Sequence, residues 1–177
     1  LLKGQQLFDI GQYFLVSIHQ FYGIEYEEFP SQIAQVAMWL VDHQLNMVAS
    51  EQFGQYFIRL PLKQAATIVC GNSLQVDWGS LLPDGTVYSY ILGNPPFLGT
   101  AYQSEEQKKD LQLIFRGIGS FGMLDYVTAW YIKAAQYVQK VNQGILDDKK
   151  KTKVGYVSTN SITQGEMVGI LWNELYN

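Results

Sequence analysis

The chain has 177 residues, of which 47% are hydrophobic and 16% charged, so it is long enough to bury one core of ordinary size. Its formal net charge of −4 supplies no overall attraction to phosphate, so binding to nucleic acid requires a local patch or another part of a longer protein. One Cys and two His exclude a disulfide framework and predict no metal site.

The sequence gives no sign of a membrane protein. No apolar stretch reaches the roughly 18 residues needed to span a bilayer, and no signal peptide is recognisable. We therefore expect a cytoplasmic protein without a membrane partner. Because the chain begins with Leu1 rather than Met, we also expect it to be a fragment of a longer chain.

The first half of the chain predicts an alternation of helices and strands. Apolar residues recur at helical spacing over Leu7–Ile18, and a short apolar run, Phe21–Ile24, predicts a strand. Pro30 suits the first turn of a second helix, whose apolar spacing continues to about Leu45. Thr67–Cys70 is the next predicted strand.

The second half continues the alternation. Ser104 with Gln107 forms a capping box, which predicts a helix that runs to about Arg116. The other predicted elements are the strand Val87–Leu92, a helix over Leu124–Val138, the strand Val154–Ser158 and a helix over Met167–Leu175. Strands that alternate with helices indicate an α/β fold with a mostly parallel sheet, in one domain over residues 1–177.

Polar residues follow three of the predicted strands. Glu25 ends the first, Asn72 and Ser73 follow the second, and Asn94-Pro95-Pro96-Phe97 follows the third. Ligands of parallel sheets bind outside the carboxyl ends of the strands, so we expect the three clusters to converge on one edge of the sheet.

The segment Asn94-Pro95-Pro96-Phe97 is suited to holding a planar amine. Two prolines remove two backbone donors and keep Asn94 and Pro95 out of helical geometry, which leaves carbonyl groups as acceptors. The Asn94 side-chain oxygen and the Pro95 carbonyl would accept both N–H bonds of an aromatic amine and stabilise the positive charge that grows on nitrogen during its attack. Phe97 would then be a stacking platform for an extruded base, worth about 1–3 kcal/mol.

These residues and their order resemble the amino-DNA methyltransferases, in particular the adenine-N6 class. The segments GNSLQVDW from Gly71, LDYVTAWYIKAAQYV from Leu124 and VGYVSTNSITQGE from Val154 further resemble the methylase region of MmeI-like enzymes. The resemblance covers nearly the whole chain from Phe21. It implies a three-layer Rossmann-like fold, S-adenosylmethionine as cofactor and double-stranded DNA as partner through the parent protein of a restriction-modification system.

The resemblance also implies roles for single residues. Asn94, Pro95, Pro96 and Phe97 would be catalytic, whereas Glu25 would bind the ribose hydroxyls of the cofactor and Asn72, with Ser73, its adenine. The family's glycine-rich cofactor loop is not recognisable before Glu25. We therefore expect the fragment to lack the first, central strand, to bind the cofactor weakly and to be inactive alone. We expect its exposed sheet edges to be covered either by its own N-terminal residues or by a second copy, which would make a homo-oligomer.

Several alternatives remain open at this stage. Glu25 can be an exposed acid at a strand end, Asn72 a turn residue after Gly71, and Asn94–Phe97 a proline-rich turn. The chain can also be a cofactor-free DNA-binding or scaffolding module, or a protein or RNA methylase. Titration of S-adenosylmethionine into this chain and into one extended upstream separates the first alternative from a methylase.

A second glycine pattern is assigned to a link between helices. Gly117–Gly122 fits GxGxxG, but a predicted helix rather than a strand precedes it and no acid follows at about 20 residues. The lysines Lys149–Lys153 are expected to be a solvated loop.

Overall fold

The computed structural model describes residues 15–54, 65–119, 121–165 and 167–176. The chain divides into two compact units, Leu1–Leu81 and Leu82–Asn177, and each is described by itself. None of the described helices is both long enough and apolar enough to cross a membrane.

The first unit contains one parallel strand pair and a long helix. Strand β1 is Tyr22–Glu25, helix α1 is Glu28–Phe53 and strand β2 is Thr67–Cys70. The two strands pair in register from Tyr22 opposite Thr67 to Glu25 opposite Cys70. Because they are parallel, both strands end at the same edge, and Glu25 lies at that edge.

The residues at the two ends of helix α1 are of types that suit a helix start and a helix end. Pro30 lies in its first turn, where a missing N–H costs no helical hydrogen bond. Gly54 ends the helix in the left-handed conformation, with φ of 64°. The Gln35 side chain donates to the Ile68 carbonyl at 3.2 Å, which ties the helix to β2.

The second unit contains the other strand pair and three helices. Its elements are β3 (Tyr90–Gly93), α2 (Glu105–Ile114), α3 (Thr128–Asn142), β4 (Lys153–Tyr156) and α4 (Met167–Tyr176). Strands β3 and β4 are parallel, with Gly93 opposite Tyr156 at their carboxyl ends. The buried core of this unit comes from α2, α3 and α4 and the turn before α3, and includes Leu111, Phe115, Leu124, Val127, Ile132 and Leu171.

The structure confirms the predicted α/β class with parallel strands. The strand Thr67–Cys70 and the Ser104 capping box are confirmed; the Ser104 hydroxyl accepts from the Gln107 N–H, and the Gln107 side chain accepts from the Ser104 N–H at 2.8 Å. The predicted single domain over residues 1–177 and the predicted absence of a central strand stay predictions.

Several predicted boundaries are wrong. The helix predicted over Leu124–Val138 is Thr128–Asn142, and the strand predicted over Val154–Ser158 is Lys153–Tyr156. The predicted end of the second helix at Leu45 is too early, because Asn46 is buried and donates to Asp42 at 3.0 Å within the helix instead of ending it. The predicted strand start at Val87 is too early, because pairing with β4 begins only at Tyr90. The helix predicted over Leu7–Ile18 lies mostly outside the described residues, but Leu15–Ser17 is not helical and Ile18–Gln20 is a short 3-10 turn.

Candidate functional site

The Asn-Pro-Pro-Phe segment begins directly after the carboxyl end of strand β3. Pairing with β4 continues to the last residue of β3, and the Val157 N–H donates to the Gly93 carbonyl at 3.0 Å. Asn94 follows directly, and the chain is irregular from Asn94 to Gly99. The backbone before Asn94 is therefore fixed by the strand ladder, while the segment after it is free of the ladder.

The four residues of the segment differ in their exposure to solvent. Asn94, Pro96 and Phe97 are exposed, and the Phe97 side chain is 45% exposed, whereas Pro95 is buried. The buried proline anchors the turn, because its ring is packed rather than solvated. The amide of Asn94 and the ring of Phe97 are left accessible to a ligand.

Gly93 and Tyr156 pack closely beneath this turn. A Cβ atom placed on Gly93 would lie 3.2 Å from Tyr156 Cε1, 3.3 Å from Cδ1 and 4.0 Å from Pro95 Cδ. The Tyr156 ring meets the Tyr131 ring of α3 edge to face, with centroids 5.3 Å apart. Burial, and secondarily Tyr131, raises the pKa of the Tyr156 hydroxyl far above its usual value, so this side chain is a neutral phenol.

Two hydroxyls near the end of β4 are buried without a partner. Within the described part of the chain, Tyr156 Oη and Ser158 Oγ have no hydrogen-bond partner. The sequence argument missed Tyr156, Ser158 and Gly93. A glycine at the end of a strand directly before Asn-Pro-Pro is the signal that indicates a close approach at this point.

The segment after Phe97 is anchored to the turn before α3. The Tyr126 N–H donates to the Leu98 carbonyl at 2.8 Å. The Gln103 side chain, which is buried, donates to the Leu124 carbonyl at 3.0 Å. The Tyr126 hydroxyl donates to the buried Asp110 at 2.7 Å, so α2 is tied to the same turn.

In the first unit, Glu25 lies at the carboxyl end of β1. Its carbonyl accepts the Gly71 N–H at 2.8 Å, which keeps the residue after β2 beside it. One oxygen of the Glu25 carboxylate accepts the Tyr26 N–H at 2.9 Å. A carboxylate offers about four lone-pair sites, so this single bond leaves it able to accept from a pair of hydroxyls.

Asn72 and Ser73 open a turn directly after β2. The Asn72 side-chain oxygen accepts the Leu74 N–H at 2.9 Å, and its carbonyl accepts the N–H groups of Gln75 and Val76. The Ser73 carbonyl accepts the Trp78 indole N–H at 2.8 Å. Asn72 therefore has the contacts of a turn residue, and its contact with the cofactor stays a prediction.

The predicted site residues thus form two groups. Glu25 is brought to the same strand edge as Asn72 and Ser73, and Asn94–Phe97 extends from the carboxyl end of β3. The convergence of all three clusters on one edge stays a prediction, as do the roles of the residues. In the described part of the chain, no three His, Cys, Asp or Glu side chains come together as a metal site would require.

Comparisons with known proteins identify the kind of domain. The family model described as "MmeI, DNA-methyltransferase domain" matches residues 5–177. DNA methyltransferase A of Bacillus subtilis (strain 168) is 40% identical over 172 residues, which are 94% of this chain and 18% of that protein. A solved structure of the type IIL restriction-modification enzyme MmeI in complex with DNA matches with a TM-score of 0.83 and 47% identity, over 99% of this chain and 22% of that one.

Parallel strands with an Asn-Pro-Pro-Phe segment at a strand end, together with these matches, define the class as an α/β methyltransferase domain of Rossmann-like fold. More particularly, the chain belongs to the MmeI DNA-methyltransferase domain family. It spans about a fifth of the length of the curated relative and of the solved enzyme.

Proposed function

We propose that the full-length protein that carries this chain transfers a methyl group from S-adenosylmethionine to the exocyclic amine of an adenine extruded from double-stranded DNA. It would do so as the methylase part of a restriction-modification enzyme in the cytoplasm. The observation that carries the proposal is the position of Asn94–Phe97 at the carboxyl end of a parallel strand, with Asn94 and Phe97 exposed and Pro95 buried. The relatives, a DNA methyltransferase and an MmeI–DNA complex, support it.

Asn94 and Pro95 would activate the amine. Its lone pair is delocalised into the ring, so the nitrogen is a weak nucleophile until charge can build on it. The Asn94 side-chain oxygen and the Pro95 carbonyl would each accept one N–H bond, and both bonds strengthen as the nitrogen becomes positive. Because the buried Pro95 ring holds the turn, the backbone that carries both acceptors would be in place before the reaction begins.

Phe97 would hold the base. Its exposed ring comes two residues after Pro95, so it would offer an aromatic face to the same base. Stacking of the base on this ring offsets part of the few kcal/mol that extrusion from the duplex costs, since a base–aromatic stack is worth about 1–3 kcal/mol.

Glu25, Asn72 and Ser73 would hold the cofactor, which supplies an electrophilic methyl group when bound. Glu25 fits the ribose, because its carboxylate lies at the strand edge with capacity for two hydroxyl donors. Asn72 and Ser73 follow the neighbouring strand, where they would contact the adenine. Association of copies of the isolated chain through strand edges is a further part of the proposal.

The test is a methylation assay with the full-length protein and labelled S-adenosylmethionine on DNA, RNA and protein. We expect label on adenine N6 of DNA. We further expect Asn94→Ala to lower the single-turnover rate by at least about 100-fold without changing cofactor affinity, by analogy with loss of one preorganised transition-state partner. Asn173→Ala, an exposed asparagine on α4, is the matched control. An unchanged rate in Asn94→Ala, or label on RNA or protein instead of DNA, contradicts the proposal.

A further inference from the structure

The residue that precedes Asn94 is packed against a single aromatic ring. Gly93 pairs with Tyr156 across the β3–β4 ladder, and a Cβ atom on Gly93 would lie 3.2 Å from the ring carbon Cε1. Contacts this short are tighter than side chains normally make, so the ring occupies the space that any side chain at position 93 would need. The absence of a side chain at Gly93 is therefore what allows the ring to lie against the backbone here.

The ring in turn cannot move away easily. The Tyr131 ring of α3 also meets it edge to face, with centroids 5.3 Å apart, and the Tyr156 side chain is partly buried. Tyr156 thus fills the space between α3 and the backbone that leads into the Asn-Pro-Pro-Phe segment. The N–H of Val157, the residue directly after β4, donates to the Gly93 carbonyl at 3.0 Å.

Asn94 itself depends on this backbone support. Its side chain is exposed, and none of the described residues makes a hydrogen bond to it. The backbone of Gly93 and Pro95 then sets the point from which this side chain extends and the position of the Pro95 carbonyl. Displacement of that backbone moves the amine acceptors directly.

We propose that Tyr156 is a positioning residue for the reaction at Asn94 and Pro95, and that Gly93 is the small counterpart its ring requires. The inference rests on the proposed function. The ring, not the hydroxyl, performs this role: Tyr156 Oη is buried without a partner among the described residues, so phenylalanine would make the same packing contacts.

The first experiment compares two glycine substitutions on the same strand pair in the full-length protein. Gly93→Ala places a methyl group against the packed ring, so we expect the single-turnover methylation rate to fall by about 10- to 100-fold, since a misplacement of about 1 Å at reacting groups costs up to about 100-fold. Gly155→Ala is the matched control, because its Cβ would meet only Leu92 Cδ2, at 3.3 Å, the far end of an exposed side chain that can rotate. We expect cofactor affinity to stay unchanged in both variants. Equal rates for the two variants would overturn the proposal.

The second experiment separates the ring from the hydroxyl. Tyr156→Phe should keep the wild-type rate, whereas Tyr156→Val, which removes the ring but keeps a residue suited to a strand, should lose rate without losing cofactor affinity. Gly93→Ala should add little to the loss in a Tyr156→Val background, because the atoms it meets are gone. Additive losses, or a Tyr156→Phe defect as large as that of Tyr156→Val, would overturn the inference.

The failure of this inference is distinguishable from failure of the proposed function. If the wild-type protein methylates DNA and Asn94→Ala does not, the proposed function stands, and the Gly93 and Tyr156 variants decide the positioning role alone. If the wild-type protein does not methylate DNA, the proposed function fails and this inference fails with it. Thermal unfolding of each variant checks that rate losses do not reflect loss of the fold.

Discussion

The Tyr126 hydroxyl donates a 2.7 Å hydrogen bond to the carboxylate of Asp110, and both residues are buried. The same Tyr126 donates its backbone N–H to Leu98, the residue after Phe97. One side chain therefore connects α2 to the turn that anchors the end of the Asn-Pro-Pro-Phe segment. Loss of the hydroxyl is expected to weaken the fold around that segment.

We predict that Tyr126→Phe lowers the free energy of unfolding by about 1–3 kcal/mol, because it removes a donor from a buried carboxylate while keeping the ring. Denaturant unfolding of this chain measures the change. The control is Tyr102→Phe, since Tyr102 is 82% exposed and its hydroxyl is solvated in both states. Equal stability of the two variants would show that the buried bond contributes nothing.

The second prediction concerns Phe97. Phe97→Ala should weaken binding of the extruded base by about 1–3 kcal/mol, and Phe97→Trp should largely preserve it, because stacking tolerates a change of aromatic ring. Fluorescence of 2-aminopurine at the target position in duplex DNA reports extrusion and stacking. Equal losses in the two variants would instead indicate that Phe97 is a packing residue.

The third prediction concerns Glu25. Glu25→Gln should weaken S-adenosylmethionine binding and leave base binding unchanged, because an amide lacks the second acceptor oxygen and the charge that a pair of ribose hydroxyls would use. Calorimetric titration of the full-length protein measures the cofactor affinity. Glu27→Gln, an exposed acid two residues further along, is the control. A defect in base binding with normal cofactor affinity would mean that Glu25 belongs to another site.

Local signals in the sequence predicted much of the fold. The Ser104 capping box placed the start of α2 correctly because both of its hydrogen bonds join residues three apart. The start of β3 was predicted wrongly because an apolar run does not show where pairing with the next strand begins. Tyr88 lies inside the predicted strand, but its carbonyl accepts a hydrogen bond from the Thr152 hydroxyl instead of from a strand partner. The packing of Tyr156 against Gly93 was missed for the same reason, since it joins residues far apart in the chain.

The candidate site was predictable where chemistry and position coincide in a short segment. Asn94–Phe97 combines two prolines, an amide and an aromatic ring directly after a strand, and the structure leaves Asn94, Pro96 and Phe97 exposed. The role of Asn72 was harder to predict, because an asparagine after a strand suits both a turn and a ligand contact. Its 2.9 Å bond from the Leu74 N–H shows the turn contacts, and only a cofactor measurement can test the other role.

The last prediction concerns the isolated 177-residue chain. Among the described residues, β1 pairs with β2 and β3 pairs with β4, so each pair has outer edges with backbone groups that no described strand takes up. Tyr90 and Leu92 of β3 are 64% and 77% exposed, which leaves apolar side chains beside such an edge. Unmanaged edges of this kind are templates for pairing with another strand.

We therefore expect the isolated chain to associate as its concentration rises, unless its own N-terminal residues cover the edge, and to be inactive in methylation. Light scattering across a concentration series, with a methylation assay on the same samples, measures both properties. Substitution of Leu92 by lysine should reduce the association, because a charged side chain at an edge opposes pairing, whereas Leu146→Lys, at a 96% exposed position outside the strands, should not. A monomer with normal activity at every concentration would contradict the prediction and would mean that residues before Glu25 supply the cofactor loop in a form the sequence does not reveal.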